Sequence, residues 1–177
     1  RITLDPTLLL EKRQWEKLID REPIIKGNYI FYYSPRYSKR TLNIARALSK
    51  KLNLKIVTSI IHSLKFMILF PDFEKEIAVG PLEFLNLCRN ARLICGRSYH
   101  LVVFALIFNV PFYSILGMDV NRTKHLLGLT NLTTRSVSEQ DIDEKAANAF
   151  DIDFSEVDKL LNEKRKESFC FLSNSLK

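Results

Sequence analysis

With 177 residues, 46% of them hydrophobic and 27% charged, the chain has the length and composition of one globular domain with a real core. Lys and Arg exceed Asp and Glu by 27 − 20 = 7, which favours an anionic partner. The sequence has no dense basic tract, and its aromatic residues do not stand among basic ones, so we expect no nucleic-acid partner. Apolar runs fall short of the roughly 18–20 residues that span a bilayer, so we expect no transmembrane segment.

Cysteine and histidine usage argues against disulfides and against a metal. The cysteines are odd in number and stand outside any CxxC pair, which predicts buried free thiols in a reducing cytosol: Cys88, Cys95 and Cys170. The histidines are scattered without the spacing of metal ligands: His62, His100 and His125. We therefore expect a cytoplasmic protein without a metal site.

In chain order, the first half alternates helical and strand patterns. Residues 1–10 are irregular with a turn at Asp5-Pro6-Thr7, and residues 11–20 place Trp15, Leu18 and Ile19 on one helical face. The next segments predict a strand at 28–34, a helix at 39–52 capped by Asn53, and a strand at 54–59. Residues 60–73 are ambiguous between a short helix and a loop. A strand at 76–79 and a helix at 81–90 follow.

The second half begins with the stretch that organises the chain. Leu93 to Cys95 predicts a buried strand, Gly96-Arg97-Ser98 a tight turn, and Tyr99 to Asn109 a buried helix. The remaining segments predict a buried strand at 111–116, a short helix at 121–129, an edge strand at 132–136, a loop or weak helix at 138–150, and a closing helix from Asp153.

Strands that alternate with helices, without hairpin signals, predict a parallel α/β sheet with helices on both faces, a Rossmann-like fold. Ligands of such folds bind at the carboxyl ends of the strands, beside helix starts. Four loops lie there: 34–38 with Arg36, 59–63 with His62, 97–100, and 117–124 with Asp119, Arg122 and Lys124. Arginine there would give an anion bidentate donors, and His100 could transfer a proton or donate a hydrogen bond.

Each candidate also has an ordinary structural interpretation. His100 at the start of a buried helix could be a satisfied structural histidine, Arg97 a solvated turn residue, and Arg122 a surface residue. Glu83 supplies favourable first-turn charge to its helix. The chain has no GxGxxG, Walker or GxSxG motif, so the fingerprints of dinucleotide, P-loop and hydrolase sites are absent from the sequence.

Several segments resemble the polysaccharide pyruvyl transferase family. They are Val79-Gly80-Pro81-Leu82-Glu83-Phe84-Leu85, Ser98-Tyr99-His100 opening an apolar helix that ends Ile107-Phe108-Asn109-Val110-Pro111-Phe112, and Arg122 ahead of Leu126-Leu127-Gly128-Leu129. Asp5-Pro6-Thr7 before a Trp-bearing helix is similar to the segment where the family's first half passes to its second. In the family, the Ser-Phe-His turn that corresponds to Ser98-Tyr99-His100 is commonly followed by Gly-Thr. Here Leu101-Val102 follows, and Leu101 is expected to crowd any close approach of a ligand to the helix start.

The resemblance implies the C-terminal half of a GT-B-type transferase, with an active site between two Rossmann-like halves and the N-terminal half missing from this chain. Residues 1–22 would be an inter-domain segment and helix, 23–152 the Rossmann-like domain, and 153–177 a C-terminal helix packing on it. The activity would move a pyruvyl group from phosphoenolpyruvate, a donor substrate rather than a cofactor, to hydroxyls of a glycan acceptor during surface-polysaccharide biosynthesis. Peripheral association with the inner face of the membrane stays open.

The resemblance also implies roles for residues matched by position. His100 would be the catalytic imidazole, and Arg97, Ser98, Arg122 and Lys124 would bind the anionic donor, while His62 and Glu83 are further cleft candidates. Two other functions stay open: a GT-B-type glycosyltransferase with a nucleotide-sugar donor, and a non-catalytic interaction domain. The absence of an obvious acidic pair for a nucleotide ribose in the last loops disfavours the first of these.

Overall fold

The fold is built on a five-stranded parallel sheet. The computed structural model describes residues 3–19, 22–59, 71–76, 79–115 and 120–175. The strands are β1 (Tyr29–Tyr33), β2 (Lys55–Thr58), β3 (Phe73–Lys75), β4 (Leu93–Gly96) and β5 (Phe112–Ser114). The helices are α1 (Pro6–Leu9), α2 (Lys12–Glu16), α3 (Lys39–Leu52), α4 (Pro81–Asn90), α5 (Tyr99–Phe108), α6 (Val120–Leu129), α7 (Ile142–Ala147) and α8 (Phe154–Ser175).

In the strand order β3-β2-β1-β4-β5, the chain adds β2 and β3 on one side of β1 and then β4 and β5 on the other. The topological switch point therefore lies between β1 and β4. All four pairings are parallel, and Tyr33 of β1 lies opposite Gly96 of β4 at their carboxyl ends. In open α/β sheets this switch point opens a crevice in which ligands bind. The parallel sheet confirms the predicted fold class and places the turn before α5 at this crevice.

Side chains alternate between the two faces of the sheet, and each face has its own hydrophobic core. Tyr29, Phe31 and Ile94 pack with α4, α5, α6 and α8 on one face. Ile30, Leu93 and Tyr113 pack against α3 on the other. Helices therefore cover both faces, as predicted, and β1 is buried on both sides, as its apolar sequence requires.

Helix α5 is apolar around most of its circumference, which is typical of a helix enclosed by neighbours. Seven of its ten residues are buried, from Leu101 to Phe108 apart from Phe104. It ends at Asn109, whose left-handed backbone (φ 57°) lets its N–H bond to the carbonyl of Ala105. Asn53 closes α3 in the same conformation, with φ 51°, which confirms that predicted cap.

Leu101 packs into the core at the start of α5. Leu101 is 1% exposed and belongs to the core beneath the sheet. Its side chain packs over Gly96, where an added Cβ would lie 2.7 Å from Leu101 Cδ2. The expectation that Leu101 crowds the close approach of a ligand to the helix start stays a prediction.

Two predicted strands are corrected. The strand expected at 76–79 lies at Phe73–Lys75, because Phe73 is the residue that inserts into the core, with its ring centroid 5.6 Å from that of Tyr32. Residues 77–78, like most of the ambiguous segment (60–70), lie outside the described residues. The edge strand expected at 132–136 is a 3₁₀ turn, Thr133–Arg135, with one isolated parallel bridge from Ser136 to Ser114.

Arg135 anchors this last segment to the rest of the fold. The residue is 5% exposed, and its guanidinium donates hydrogen bonds to the Tyr113 hydroxyl and to the carbonyls of Asn148 and Ala149, at 3.3, 3.0 and 3.1 Å. Burial lowers the Arg135 pKa, and the nearby Tyr113 hydroxyl opposes that effect. Arg135 thus connects this segment to β5 and to the residues that follow α7.

The N-terminal segment and the closing helix pack against the core that contains α5. Some of the helices predicted from the sequence differ in extent from those in the structure. Of the helix predicted at 11–20, only Lys12–Glu16 is helical. Leu18 and Ile19 follow the end of this helix; Ile19 is buried, whereas Leu18 is 54% exposed. Within 138–150, residues Ile142–Ala147 are helical. The closing helix forms as expected, with Val157 and Leu161 buried, but Leu172 is exposed. The domain boundaries after residues 22 and 152 stay predictions.

The described helices include none that is both long enough and apolar enough to cross a membrane. This agrees with the coarse expectation from the sequence. Peripheral association remains a prediction.

The cysteines divide into two classes. Cys88 and Cys95 are buried as expected, but Cys170 is exposed near the end of α8. Burial raises the pKa of Cys95 to about 12 and that of Cys88 well above the usual range. Both thiols are therefore protonated and inaccessible, whereas that of Cys170 is accessible to reagents.

We expect iodoacetamide to modify Cys170 in the folded protein and to leave Cys88 and Cys95 unmodified. Peptide mapping by mass spectrometry after native labelling measures this directly. The control is a guanidinium-unfolded sample, in which all three thiols react. Native labelling of Cys88 or Cys95 at the rate of Cys170 would contradict the described packing.

Candidate functional site

The turn between β4 and α5 opens at the carboxyl edge of the sheet. Gly96 ends the strand, and the Arg97 N–H donates to the Tyr33 carbonyl of the neighbouring strand at 3.0 Å. Ser98 is the N-cap of α5 with extended backbone, and its hydroxyl makes no capping hydrogen bond within the described structure. Tyr99 and His100 then occupy the first turn of the helix. The apolar sequence that buries α5 thus fixes where these two rings project.

His100 and Arg122 are brought together by a shared carboxylate. Asp5 Oδ2 accepts a hydrogen bond from Arg122 Nη2 at 3.1 Å and lies 3.8 Å from His100 Nε2. The Asp5 side chain is 11% exposed, whereas those of His100 and Arg122 are 54% and 58% exposed. The carboxylate therefore lies behind the two basic groups, and their outer surfaces face solvent.

Tyr99 completes this group, which we call the Asp5 cluster: Asp5, Tyr99, His100 and Arg122. The Arg122 guanidinium carbon lies 4.1 Å from the centroid of the Tyr99 ring, a cation–π arrangement. The Tyr99 and His100 rings meet edge to face with centroids 5.4 Å apart. Burial raises the Tyr99 pKa, the Asp5 charge adds to that effect, and Arg122 opposes it. Tyr99 is thus a neutral platform beneath the guanidinium.

A crevice of about 160 Å³ adjoins the cluster. It lies between the N-terminal segment, the start of α6 and the middle of α8, and its polar lining includes Asp5, Tyr99, Arg122, His125, Lys164 and Glu167. Lys164 Nζ lies 2.9 Å from both carboxylate oxygens of Glu167, so these two charges largely offset each other. Arg122 is paired with Asp5, but its side chain is 58% exposed, against 39% for Lys164, so it is the more accessible of the two cations.

The remaining predicted site residues lie apart from the cluster. Arg97 and Ser98 are half-buried in the preceding turn, and Lys124 is exposed on α6 but does not line the crevice. Glu83 folds over the start of its own helix, where its Oε2 lies 2.7 Å from the position of a Cβ on Gly80, in keeping with a first-turn charge. His62 lies outside the described residues. Across the described ranges, no group of three or more His, Cys, Asp or Glu side chains could hold a metal ion.

Sequence reasoning did not assign Asp5, Tyr99 or His125 to the site. Asp5 was predicted as a turn residue, and it does cap α1 through the N–H of Thr7 at 3.0 Å. Its second carboxylate oxygen reaches residues far along the chain, and no local pattern signals that. His125 was considered only as a metal ligand, although α6 carries it to the crevice.

Comparisons with solved structures support the fold. The chain is similar to the UDP-GlcNAc 2-epimerase of Methanocaldococcus jannaschii, solved in complex with UDP-GlcNAc and UDP, with a TM-score of 0.54, 20% identity, and coverage of 85% of this chain and 43% of that one. It is also similar to the glycotransferase of kitacinnamycin, with a TM-score of 0.52, 14% identity, and coverage of 86% and 42%. The chain thus spans less than half the length of either protein.

A search among curated proteins finds no match. The family model of polysaccharide pyruvyl transferases, in contrast, matches residues 1–117, a range that runs from the Asp5 segment through α5 to the end of β5. This match covers well over half of the chain and includes three of the four segments that carry the resemblance in the sequence. The chain therefore belongs to the polysaccharide pyruvyl transferase family.

Proposed function

We propose that this chain forms the donor-binding half of an enzyme that transfers a pyruvyl group from phosphoenolpyruvate to a pair of sugar hydroxyls in a surface polysaccharide. The observation that carries the proposal is the Asp5 cluster: an exposed imidazole and an exposed guanidinium, held side by side in the first turns of the helices that follow β4 and β5. Phosphoenolpyruvate presents a carboxylate and a phosphate, both of which suit a planar guanidinium.

The proposed chemistry gives each basic group a role. His100 protonates the terminal enol carbon of the donor while one sugar hydroxyl bonds to the central carbon and loses its proton. The bond from that carbon to the phosphate oxygen then breaks, inorganic phosphate leaves, and the second hydroxyl closes the ketal. The two hydroxyl protons are balanced by the new methyl C–H and the protonated phosphate. Arg122 binds the anionic part of the donor, and Ser98 adds a hydroxyl donor from the N-cap of α5.

The proposal is tested on the natural full-length polypeptide, because this chain spans less than half of the proteins whose fold it shares. We expect phosphoenolpyruvate, but not UDP- or GDP-sugars, to raise its melting temperature. We also expect a phosphoenolpyruvate-dependent gain of one ketal on a glycan acceptor, measured by mass spectrometry.

Two other outcomes would overturn the proposal. Stabilisation by a nucleotide sugar and not by phosphoenolpyruvate would assign the protein to glycosyl transfer. Stabilisation by neither, with no mass gain on a panel of acceptors, would indicate a non-catalytic interaction domain.

A further inference from the structure

The proposed reaction assigns roles to His100 and Arg122 but none to the carboxylate between them. Asp5 lies in the N-terminal segment, before the first strand, and its two oxygens make different contacts. Oδ1 accepts the Thr7 N–H at 3.0 Å and so caps α1. Oδ2 accepts from Arg122 Nη2 at 3.1 Å and faces His100 Nε2 at 3.8 Å. One side chain therefore connects the N-terminal segment to the first turns of both α5 and α6.

The segment that carries Asp5 is itself anchored to the core. Leu4 and Leu8, on either side of Asp5, are buried in the same cluster as α5 and α8. The Leu4 N–H donates to Ser168 Oγ at 3.0 Å, and Arg165 Nε donates to the Leu8 carbonyl at 2.6 Å. The Asp5 carboxylate is therefore held by packing on both sides, whereas the longer Arg122 side chain depends on its contacts for a fixed orientation.

We propose that Asp5 is a positioning residue that fixes the Arg122 guanidinium beside the His100 imidazole in the orientation that receives the anionic donor. This inference rests on the proposed function. Asp5 contacts one end of the guanidinium and the Tyr99 ring covers one face, so the remaining N–H donors point toward solvent. Fixing an exposed arginine before the donor arrives removes the entropy cost of ordering it during binding.

The electrostatics favour this arrangement. The charged and titratable groups around the cluster are Asp5 from the N-terminal segment, Tyr99 and His100 from α5, Arg122 and His125 from α6, and the paired Lys164 and Glu167 from α8. The Asp5 carboxylate, with its side chain 11% exposed, offsets the positive charge of the Arg122 guanidinium. Because Asp5 lies behind Arg122 and His100, it does not take the place of the donor.

The inference is tested by a double-mutant cycle in the natural full-length polypeptide, with Asp5→Asn and Arg122→Gln. Asparagine caps a helix about as well as aspartate, so Asp5→Asn keeps α1 and removes the charge. We expect Asp5→Asn to lower kcat/KM for phosphoenolpyruvate by about 10- to 100-fold, because misplacement of a binding group by about 1 Å has effects of that size. In the Arg122→Gln background, the same substitution is expected to change kcat/KM less than about threefold, because the residue through which Asp5 acts is already lost.

Asp153→Asn is the matched control. Asp153 caps the start of α8 through the Ser155 N–H at 3.0 Å, as Asp5 does for α1, but it does not line the crevice. We expect Asp5→Asn and Asp153→Asn to have equal melting temperatures, and Asp153→Asn to leave kcat/KM unchanged. An Asp5→Asn loss of the same factor with and without Arg122 would show that Asp5 does not act through Arg122 and would overturn the inference, as would unchanged activity of Asp5→Asn.

A second readout separates this inference from the proposed function. The ¹⁵N relaxation of the Arg122 side-chain N–H groups, assigned through Arg122→Lys, reports whether the guanidinium is fixed without any donor. We expect a rigid Arg122 side chain in the wild type and a mobile one in Asp5→Asn. If phosphoenolpyruvate has no effect on the wild type, the proposed function fails, and equal Arg122 mobility in the two proteins would independently overturn the positioning role.

Discussion

Replacing His100 with alanine is expected to lower kcat of phosphoenolpyruvate-dependent transfer by about 10²- to 10⁴-fold, the range that a positioned proton donor contributes. The fold should tolerate the change, because the His100 side chain is 54% exposed and the buried surface of α5 begins at Leu101. Its stability should therefore stay within about 0.5 kcal/mol of the wild type. Phosphate release and ketal formation measure the first effect, and thermal unfolding by circular dichroism measures the second.

The variant His100→Gln distinguishes proton transfer from hydrogen bonding. Glutamine can donate a hydrogen bond to an anion but cannot deliver a proton to the enol carbon. If His100 is the acid, both variants lose kcat equally; if it only binds the donor, glutamine retains most of the activity and alanine mainly raises KM. A kcat of His100→Ala within threefold of the wild type would exclude a catalytic role for the imidazole.

Replacing Gly96 with alanine is expected to destabilise the protein by about 3 kcal/mol or more, or to prevent folding. A Cβ on Gly96 would lie 2.0 Å from the Tyr33 carbonyl oxygen and 2.7 Å from Leu101 Cδ2. The leucine could shift, but the carbonyl belongs to the paired strand β1 and accepts the Arg97 N–H at 3.0 Å. Relief of this clash would require the two central strands to separate at the carboxyl edge, where the Asp5 cluster lies.

Gly128→Ala is the matched control for this prediction. Gly128 lies in α6, and a Cβ there would meet no atom within 4 Å. Because glycine is the weaker helix former, this substitution should stabilise the protein by about 0.5–1 kcal/mol. Urea unfolding of both variants makes the comparison, and equal stability of Gly96→Ala and Gly128→Ala would contradict the described approach of β1 to β4.

The order of strands and helices followed from the sequence wherever a segment was buried on a whole face. Helix α5 and strand β1 are apolar over most of their length, and α3 carries its buried residues at helical spacing, so each was predicted within about one residue. The predictions were wrong in short segments, where only a few residues determine the local structure. Strand β3 has only three residues and is fixed by Phe73, and the segment after α6 is a 3₁₀ turn whose buried arginine bonds to distant carbonyls.

Some residues of the candidate site could also be predicted from the sequence, and others could not. His100 and Arg122 were singled out because they begin helices that follow strands, and the structure places them within reach of one carboxylate. That carboxylate could not be predicted, since residues 5, 100 and 122 are joined only by the packing of the N-terminal segment against α5 and α8. Sequence patterns report burial along one element, and they do not report which distant elements meet.

The strand order has a consequence for how the polypeptide reaches its native state. Strand β1 lies at the centre of the sheet, yet one of its edges stays unpaired until Leu93 arrives to lie opposite Ile30, and β4 in turn awaits Phe112 opposite Ile94. Contacts between such distant positions form slowly, because a long loop must close before it gains any stabilisation. During synthesis, the apolar edge of β1 is therefore open to other chains until β4 leaves the ribosome, which makes this interval the one in which chaperone binding matters most.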